Sequence, residues 1–555
     1  MKNIFNYLIV ACLAIVALSF AGCIKQPVPN DGVTSEQVGQ DPNALKAIVG
    51  AIPVNMTYPY SALGSGNNYG WDFGYPGLMC VTDHATMDVV TCGGDDGDNY
   101  DWFSYWSEGW GIAHTSACAV YPWRCYYLFV KSCNDVIGVT SPESTGLAAT
   151  YRAQALIIRA LFYLDLARMY DPLEACAECN GKYVIPDAAK GLTIPWIGED
   201  TDQDQARNNP RMTREEAFTH ILGDLNEAVA LYGDYTSSDR TVPSLAVAHG
   251  LLARAYLWLG GFNDKYEKVP TGNDAYKLAQ KEAKTAKELF GAKPMSKAEW
   301  QSPTTGFNSP TSSWMWYIQQ STEGVTNLVN FIAWRSNEST WGYAKYVFQG
   351  VLSKFYDRIS DTDWRKESFI GASPEEWYKA HSNLTNHKTL EAFLKYTAPY
   401  ANMKFHPASG ETQTWKTGNV TAVPLMRVEE MYLIEAEAAA QVGDASAAGL
   451  LNEFMSYRDP NYYFAGSTQI LPEEIMFQKR VELWGEGVVF YDFKRLGYGV
   501  NTAYAGANVP GAARFYTTGR LPWWNFCIPQ IETQQNLGIQ DPNPNPTGIL
   551  TPIAE

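Results

Sequence analysis

The chain has 555 residues, 46% of them hydrophobic, so it is long enough to bury a large core. Its formal net charge is −17 at pH 7. A strongly acidic chain does not suit a polyanionic partner, which needs clustered Lys and Arg, so nucleic acid is not expected as a ligand. No linker divides the sequence into separate domains.

The first 23 residues have the pattern of an export signal. Lys2 precedes an almost wholly apolar segment, 7–20, and Phe20-Ala21-Gly22-Cys23 places small residues before a cysteine. The apolar segment is shorter than the about 20 residues that a membrane-spanning helix needs. The pattern resembles a bacterial lipobox, which implies a signal peptide over 1–22 and lipidation of Cys23.

The region from 151 to 290 is predicted to form four helices. Apolar residues recur at helical spacing over 151–170, and Asp171-Pro172 ends that helix. Thr213 and Glu216 form a capping-box signature for the second helix, which runs through Leu231. The third follows Pro243 and ends at Gly260-Gly261, and the fourth covers 275–290. The two consecutive pairs look like degenerate tetratricopeptide units with irregular spacing.

The rest of the chain alternates between loop-rich and helical segments. Helical patterns return over 425–439, 445–458 and 472–496. Residues 52–115, 291–345 and 395–424 are rich in Gly, Asn, Thr, Trp and Tyr and have little periodicity, which predicts loops and short strands mounted on the helices. Binding residues are expected there first.

Several motifs, in a fixed order along the chain, resemble the SusD/RagB family of glycan-binding lipoproteins. The segment Arg480-Val481-Glu482-Leu483-Trp484-Gly485-Glu486-Gly487, continued by 491–495, is similar to the family's C-terminal signature. Segments 159–166, 251–257, 427–438 and 528–530 resemble its other motifs. Gln478 and Val489 depart from the family pattern, as does 540–543, which lacks the usual Asn-Pro-Gly-Tyr ending.

The resemblance implies a mostly α fold, in which tetratricopeptide-like helix pairs form a scaffold with an irregular loop-rich face. We predict a single unit over 23–555, with the scaffold mainly in 116–290 and 424–500 and the ligand face mainly in 52–115 and 291–423. In the family the C-terminal motifs belong to the scaffold, which implies buried ion-pair and capping roles for a set of charged residues. These are Glu435, Glu437, Arg480, Glu482 and Asp492.

The resemblance also implies a function. The protein is expected to be anchored by its lipid to the outer membrane, facing the exterior, and to capture an oligosaccharide or polysaccharide. It would deliver this glycan to a SusC-like TonB-dependent transporter, and it needs no cofactor. The identity of the glycan, or of another nutrient, does not follow from the sequence.

A glycan site needs exposed aromatic rings that stack on the C–H faces of sugars, beside planar hydrogen-bonding groups. Two clusters of such residues occur in the loop-rich regions, one around 69–106 and one around 314–343, and each includes tyrosines such as Tyr69 and Tyr343. Trp102 beside Asn99 and Tyr100 is the strongest candidate. The alternative for any of these tryptophans is packing in the core. The predicted binding residues are Trp71, Asp72, Asp88, Asn99, Tyr100, Trp102, Trp314, Trp316, Trp334 and Trp341.

Other functions were weighed against glycan capture. A glycoside hydrolase would need two carboxylates about 5 to 10 Å apart, which Asp72, Asp83, Asp88 and Asp101 offer in principle. No H-E-x-x-H, G-x-S-x-G or phosphate-loop motif is present, so an enzyme is not expected. A protein-interaction scaffold and a binder of a non-glycan nutrient remain alternatives.

Two further motifs are weak metal-site candidates. The acidic loop 93–99 lacks the EF-hand spacing, so a solvated loop is favoured over a calcium site. Cys176-Ala177-Glu178-Cys179 has no second Cys or His pair at zinc spacing. A loop disulfide or two free thiols is therefore favoured over a metal or redox site.

Overall fold

The computed structural model describes residues 35–64, 66, 69–94, 109, 111–233 and 235–554. Helices dominate this part of the chain, as predicted. In its first half they are α1 (Ser35–Gln40), α2 (Pro42–Asn55), α3 (Tyr75–Ala85), α4 (Ala117–Ile137), α5 (Gly146–Tyr170), α6 (Gln203–Ala206), α7 (Arg214–Tyr232), α8 (Leu245–Gly260) and α9 (Gly272–Phe290). In its second half they are α10 (Lys297–Trp300), α11 (Ile332–Arg335), α12 (Ser353–Arg358), α13 (Pro374–His381), α14 (Leu390–Lys395), α15 (Trp415–Gly418), α16 (Val428–Gln441), α17 (Ala447–Met455), α18 (Leu471–Glu482), α19 (Val489–Leu496) and α20 (Gln530–Gln535).

The long helices form a continuous stack in which each packs against the next. α4 lies on α5, α5 on α7, α7 on α8, α8 on α9, and α9 on α16. α16 in turn contacts α17 and α18. α5 is buried along nearly its whole length from Ala149 onwards, because its apolar side chains face neighbours on all sides. The stack of helix pairs confirms the predicted fold class.

Local signals set the ends of these helices. Thr213 caps α7, and its hydroxyl accepts from the Glu216 backbone N–H while the Glu216 side chain accepts from the Thr213 N–H. α8 ends at Gly260, followed by Gly261, as the sequence predicted. α5 ends one residue before the Asp171-Pro172 pair. These predictions are confirmed.

The predicted single helix over 472–496 is wrong, because the chain forms two helices there. α18 ends at Glu482 and α19 begins at Val489, and between them Gly485 and Gly487 adopt φ values of +78° and +76°. The Gly487 N–H donates to both carboxylate oxygens of Asp83 at 3.0 Å. A tertiary contact therefore holds the turn that interrupts the helical pattern.

Short strands in the loop-rich segments form two antiparallel ribbons within the described residues. β1 (Val90–Gly94) pairs with β3 (Val347–Gly350), so that Gly94 lies opposite Val347. β2 (Trp314–Gln319) pairs with β4 (Ala422–Arg427), and this ladder is irregular around Trp316. The ribbons join distant loops, since each pairs strands at least a hundred residues apart.

A buried cluster of charged side chains ties the C-terminal helices to the loop-rich segments. Arg365, Arg427 and Arg458 all contact the Glu482 carboxylate, at 3.1, 3.1 and 2.8 Å. Four cations balance four carboxylates, so the charges within the cluster neutralise one another. Its members are Arg365, Lys404, Arg427, Arg458, Asp363, Glu429, Glu482 and Glu486.

The structural roles expected for the C-terminal motif residues are confirmed. Glu435 pairs with Lys287 at 2.5 Å, and Arg480 pairs with Asp88. Glu437 and Asp492 both contact Lys479, at 2.9 and 2.7 Å, and both contact Arg495. Each of these carboxylates is buried or nearly so.

None of the described helices is long and apolar enough to cross a bilayer.

Candidate functional site

The tryptophans that were predicted as exposed platforms are buried wherever the structure describes them. Trp71, Trp314 and Trp316 are 0% exposed, Trp334 is 1% exposed and Trp341 is 5% exposed. The prediction that these five rings stack directly on sugar is wrong. A large aromatic ring suits stacking on a sugar, but it also buries much apolar area when it packs inside a protein. Here the five indole rings are packed in the core.

The indole N–H groups show why three of these rings are fixed inside. Trp316 donates to the backbone oxygen of Thr241 at 3.2 Å, and Trp341 donates to the Asn419 side-chain oxygen at 2.9 Å. Trp334 donates to the backbone oxygen of Gly70 at 2.9 Å. Each ring thus binds a separate loop to the body of the protein.

Asp72 and Asp88 are also structural and not ligand-facing. Asp72 is 0% exposed, and its carboxylate accepts the Leu63 N–H at 2.8 Å and the Ala62 N–H at 3.5 Å. Burial raises the pKa of this carboxyl group, while the two N–H donors act in the opposite direction. Asp88 forms a bidentate pair with Arg480, at 2.5 and 2.8 Å. The prediction that these two carboxylates face a ligand is wrong.

The structure nevertheless brings the two predicted aromatic loops together. Besides the Trp334–Gly70 hydrogen bond, the ring of Tyr343 lies directly against Gly70, where any Cβ would overlap it. Segments 69–75 and 332–346 are therefore in contact with each other. Tyr69 and Tyr343 are partly exposed at this contact, and so are Thr340, Lys345 and Tyr346.

Each of these tyrosines stacks on one of the buried tryptophans. The Tyr343 ring lies 4.2 Å from the Trp334 ring with an interplanar angle of 18°. The Tyr69 ring lies 4.8 Å from the Trp71 ring at 29°. We call the half-buried pair Tyr69 and Tyr343 the tyrosine ledge. Stacking fixes each ring from beneath and leaves part of it open to solvent.

The backbone around the ledge is held by short turns. The Ala344 N–H donates to the Ala333 oxygen at 2.7 Å, which folds 342–344 back onto α11. The Tyr346 and Val347 N–H groups both donate to the Tyr343 oxygen, at 2.8 and 2.9 Å. These bonds place Tyr343 immediately before β3, so its position is set by the ribbon.

Two further half-buried aromatic residues, Tyr346 and Trp415, lie in the 332–346 segment or on a helix that contacts it. Tyr346 is half-buried, with the Lys345 ammonium 4.3 Å above its ring. Trp415 on α15 is half-buried as well, and the same short helix contacts Trp341 through Gly418. Neither Tyr346 nor Trp415 was among the predicted binding residues. Their position beside Tyr343 and Trp341 depends on the fold, and no local sequence signal marks it.

The C-terminal end of β1 pairs with the start of β3, a few residues after Tyr343. Gly94 lies opposite Val347, four residues after Tyr343, so the described part of this strand ends beside the segment that follows Tyr343. Asn99, Tyr100 and Trp102, and the acidic loop beyond Gly94, lie outside the described residues, as does Cys23. The binding roles of Asn99, Tyr100 and Trp102 stay predictions.

Each described carboxylate of the hydrolase alternative already has a structural partner. Asp72 binds backbone N–H groups and Asp88 binds Arg480, as described above. Asp83 is buried, pairs with Arg335, and accepts the Gly487 N–H; its burial raises its pKa to about 7. Asp101 lies outside the described residues. Within the described part of the chain, no three His, Cys, Asp or Glu side chains gather in a way that would hold a metal ion.

Two family models match the sequence. The model described as the SusD family matches residues 334–521, and the one described as starch-binding and associating with the outer membrane matches residues 89–257. No curated protein matches the sequence.

Solved structures share the fold across almost the whole chain. A SusD-like carbohydrate-binding protein from Bacteroides vulgatus is 21% identical with a TM-score of 0.66, and the match covers 90% of this chain and 97% of the other. A SusD superfamily protein from Bacteroides thetaiotaomicron is 19% identical with a TM-score of 0.65, covering 91% and 99%. Surface glycan-binding protein A from the same organism, in complex with laminarihexaose, is 16% identical with a TM-score of 0.60, covering 90% and 99%.

Proposed function

Because this chain belongs to the SusD-like family, we propose that it is a lipid-anchored surface protein that captures a glycan and passes it to a TonB-dependent transporter. The family is associated with the outer membrane, which supports the proposed location. A protein of the same fold, in complex with laminarihexaose, supports the ligand class. Delivery to a transporter rests on the family resemblance.

The observation that carries the proposal is the tyrosine ledge. A sugar ring presents a flat C–H face, and a tyrosine offers a flat ring that stacks on such a face. Trp334 and Trp71 hold the two rings from behind, at 4.2 and 4.8 Å. Since the rings are already ordered, little conformational entropy is lost when a glycan binds.

We further propose that binding occurs without bond cleavage. A retaining or inverting hydrolase needs a carboxylic acid and a carboxylate facing each other across the scissile bond, about 5 to 10 Å apart. Asp72, Asp83 and Asp88 are each buried and already bound to a cation or to backbone N–H groups. This arrangement favours capture over hydrolysis.

Affinity electrophoresis on a panel of polysaccharides tests the ledge. We expect retardation of the unmodified protein in at least one polysaccharide, with no release of reducing sugar. Tyr343→Ala and Tyr69→Ala are each expected to weaken binding by about 2- to 10-fold, since an aromatic contact contributes about 0.5 to 1.5 kcal/mol beyond its buried area. Trp102→Ala tests the predicted residue outside the described part of the chain.

Tyr463→Ala is the matched control, because Tyr463 is 76% exposed and follows α17, far along the chain from the ledge. It is expected to bind like the unmodified protein. Retention of full affinity in both ledge variants would show that the ledge is not the binding site. Release of reducing sugar would contradict the non-catalytic proposal.

The lipid anchor has a separate test. Replacement of the proposed acylated residue, Cys23→Ser, removes the thiol that would carry the acyl chains. We expect the variant to leave the membrane fraction in cells that export it, while Cys12→Ser leaves the distribution unchanged. A Cys23→Ser protein that stays in the outer-membrane fraction would rule out anchoring through this residue.

A further inference from the structure

Cys176 and Cys179 lie in a tight turn with their sulfur atoms facing each other. The turn contains a 3₁₀ helix, Ala177–Cys179, and the Cys179 N–H donates to the Cys176 oxygen at 3.2 Å. The two Sγ atoms are 3.3 Å apart. Other described thiols contact carbonyl oxygens instead, such as Cys92 with Phe348 at 3.1 Å and Cys527 with Pro544 at 3.7 Å.

The fold around the turn keeps the two thiols in place. Cys176 and Cys179 are 6% and 3% exposed, and they pack with Tyr183, Ile185 and Ala189. The Cys176 N–H donates to the Arg520 oxygen at 2.8 Å, and Glu178 accepts the Thr518 N–H at 3.1 Å. The turn is thus held against residues 518–520, more than 300 positions away in the sequence.

The contact between the sulfurs also shifts the pKa values of the two thiols in opposite directions. The hydrogen bond between them raises the pKa of the Cys176 thiol and lowers the pKa of the Cys179 thiol. The thiolate is the nucleophile in disulfide exchange. The direction of these pKa shifts favours Cys179 as the attacking thiol and Cys176 as the resolving thiol.

We propose that Cys176 and Cys179 are a modification site, forming an intramolecular disulfide when the chain meets a disulfide oxidant. The bond length in a disulfide is about 2.05 Å, so the sulfurs need to approach by about 1.2 Å, which side-chain rotation provides without moving the anchored backbone. The proposal is independent of glycan binding.

With oxidised glutathione as the oxidant, the thiol–disulfide exchange balances in atoms and electrons. The Cys179 thiolate attacks one glutathione sulfur and forms a mixed disulfide, and a glutathione thiolate leaves. The Cys176 thiol loses its proton, and its thiolate attacks the Cys179 sulfur and releases the second glutathione. The two protons from the protein go to the two glutathione thiolates. The protein is oxidised by two electrons, and one oxidised glutathione becomes two reduced ones.

The disulfide would close the turn that follows α5. The turn lies within the segment 172–191, whose two ends, 172–174 and 190–191, line an open cleft of about 620 Å³ together with Arg214 and Tyr266. Glu174 and Lys190, at either end of the segment, both line the cleft. The disulfide restricts the unfolded chain and is therefore expected to stabilise the folded segment.

Peptide mapping after alkylation tests the proposal. The full chain is equilibrated with a glutathione buffer poised for an oxidising compartment, denatured, treated with iodoacetamide and digested with trypsin. Cleavage after Arg168 and Lys182 gives a peptide, 169–182, that contains only these two cysteines. We expect this peptide to be unalkylated and lighter by two hydrogen atoms. After reduction it should take up two alkyl groups.

Cys176→Ser is the control, because a single remaining thiol cannot close the bond. In this variant the same peptide should be alkylated once or carry one glutathione. Cys92, a half-buried single thiol, serves as an internal control and should not appear in an internal disulfide. Two alkyl groups on the unmodified peptide after oxidation would overturn the proposal. Two bound glutathiones, or a bond from either cysteine to another one, would overturn it as well.

Discussion

Glu338 shows how one buried carboxylate holds several loops together. It is 1% exposed and accepts from the Thr385 hydroxyl at 2.6 Å and the Asn386 N–H at 2.5 Å. It also contacts the His406 ring at 2.6 Å. Burial alone would raise its pKa, but the charge on His406 and these hydrogen bonds outweigh burial and lower the pKa to about 2.

The lowered pKa predicts acid sensitivity. The folded state favours ionised Glu338, so its stabilisation is complete above the ordinary glutamate pKa and is lost as the pH falls from about 5 towards 2. The loss amounts to about 3 kcal/mol in the free energy of unfolding. We expect urea unfolding curves to show this decline in the unmodified protein and a smaller decline in Glu338→Gln.

Glu473→Gln provides the comparison, because the Glu473 side chain is 66% exposed and its contact with Arg358 is 3.7 Å long. Its unfolding should follow the unmodified protein within about 0.5 kcal/mol at every pH. An equally steep decline in Glu338→Gln would show that the acid sensitivity comes from another group.

At the scale of single elements, the turn between α18 and α19 depends on two glycines, Gly485 and Gly487. Gly487 has φ of +76°, and a Cβ there would lie 2.6 Å from the Met79 Cβ. Gly487→Ala is therefore expected to lower the free energy of unfolding by about 2 kcal/mol or more, from backbone strain and overlap together. Thermal and urea unfolding measure the loss.

Gly449→Ala is the opposite case on a neighbouring helix. Gly449 lies within α17, is exposed, and has no atom within 4 Å of its Cβ position. Alanine there should raise stability by up to about 1 kcal/mol, because it favours the helix. If both variants behaved alike, the turn at Gly487 would not be the constraint that it is in the structure.

The same elements show how far the sequence predicts the fold. The boundaries of α7 and α8 follow from signals within a few residues, the Thr213–Glu216 capping box and Gly260-Gly261, so they were predictable. Leu425 was assigned to a helical pattern but lies in β4, because its strand pairs with β2 about a hundred residues away. Local periodicity does not contain that pairing.

The site was less predictable than the fold for a related reason. A tryptophan in a Gly-rich loop suits either a ligand platform or a core, and the neighbours that decide between them come from elsewhere in the chain. Gly70 and Asn419 fix Trp334 and Trp341 inside, and neither is near its partner in sequence. Composition indicated two loops that contact each other in the structure, and only the packing separated the buried tryptophans from the partly exposed tyrosines.

At the scale of the whole molecule, the charges divide into a balanced interior and an acidic remainder. The buried cluster around Glu482 is neutral, so it adds nothing to the net charge of −17. The tyrosine ledge itself consists of uncharged rings. Binding of a neutral glycan there should therefore depend little on long-range electrostatics.

An uncharged ledge on an acidic protein predicts how the affinity for glycans depends on salt concentration. The affinity for a neutral polysaccharide is expected to change less than about twofold between about 50 mM and about 500 mM NaCl, because stacking and short hydrogen bonds are not screened. Retardation by a polyanionic polysaccharide should be weaker at the low salt concentration, where repulsion is strongest. Affinity electrophoresis at both concentrations measures this, and a steep fall in neutral-glycan binding with salt would contradict it.

The position of the Tyr343 ring depends on the absence of a side chain at Gly70, because the two residues are in close contact. A methyl group at position 70 would push the Tyr343 ring off Trp334 while leaving both aromatic residues in the sequence. Under the proposed role of the ledge, Gly70→Ala is expected to change glycan affinity by moving the Tyr343 ring while both aromatic residues remain, and affinity electrophoresis of this variant measures the change.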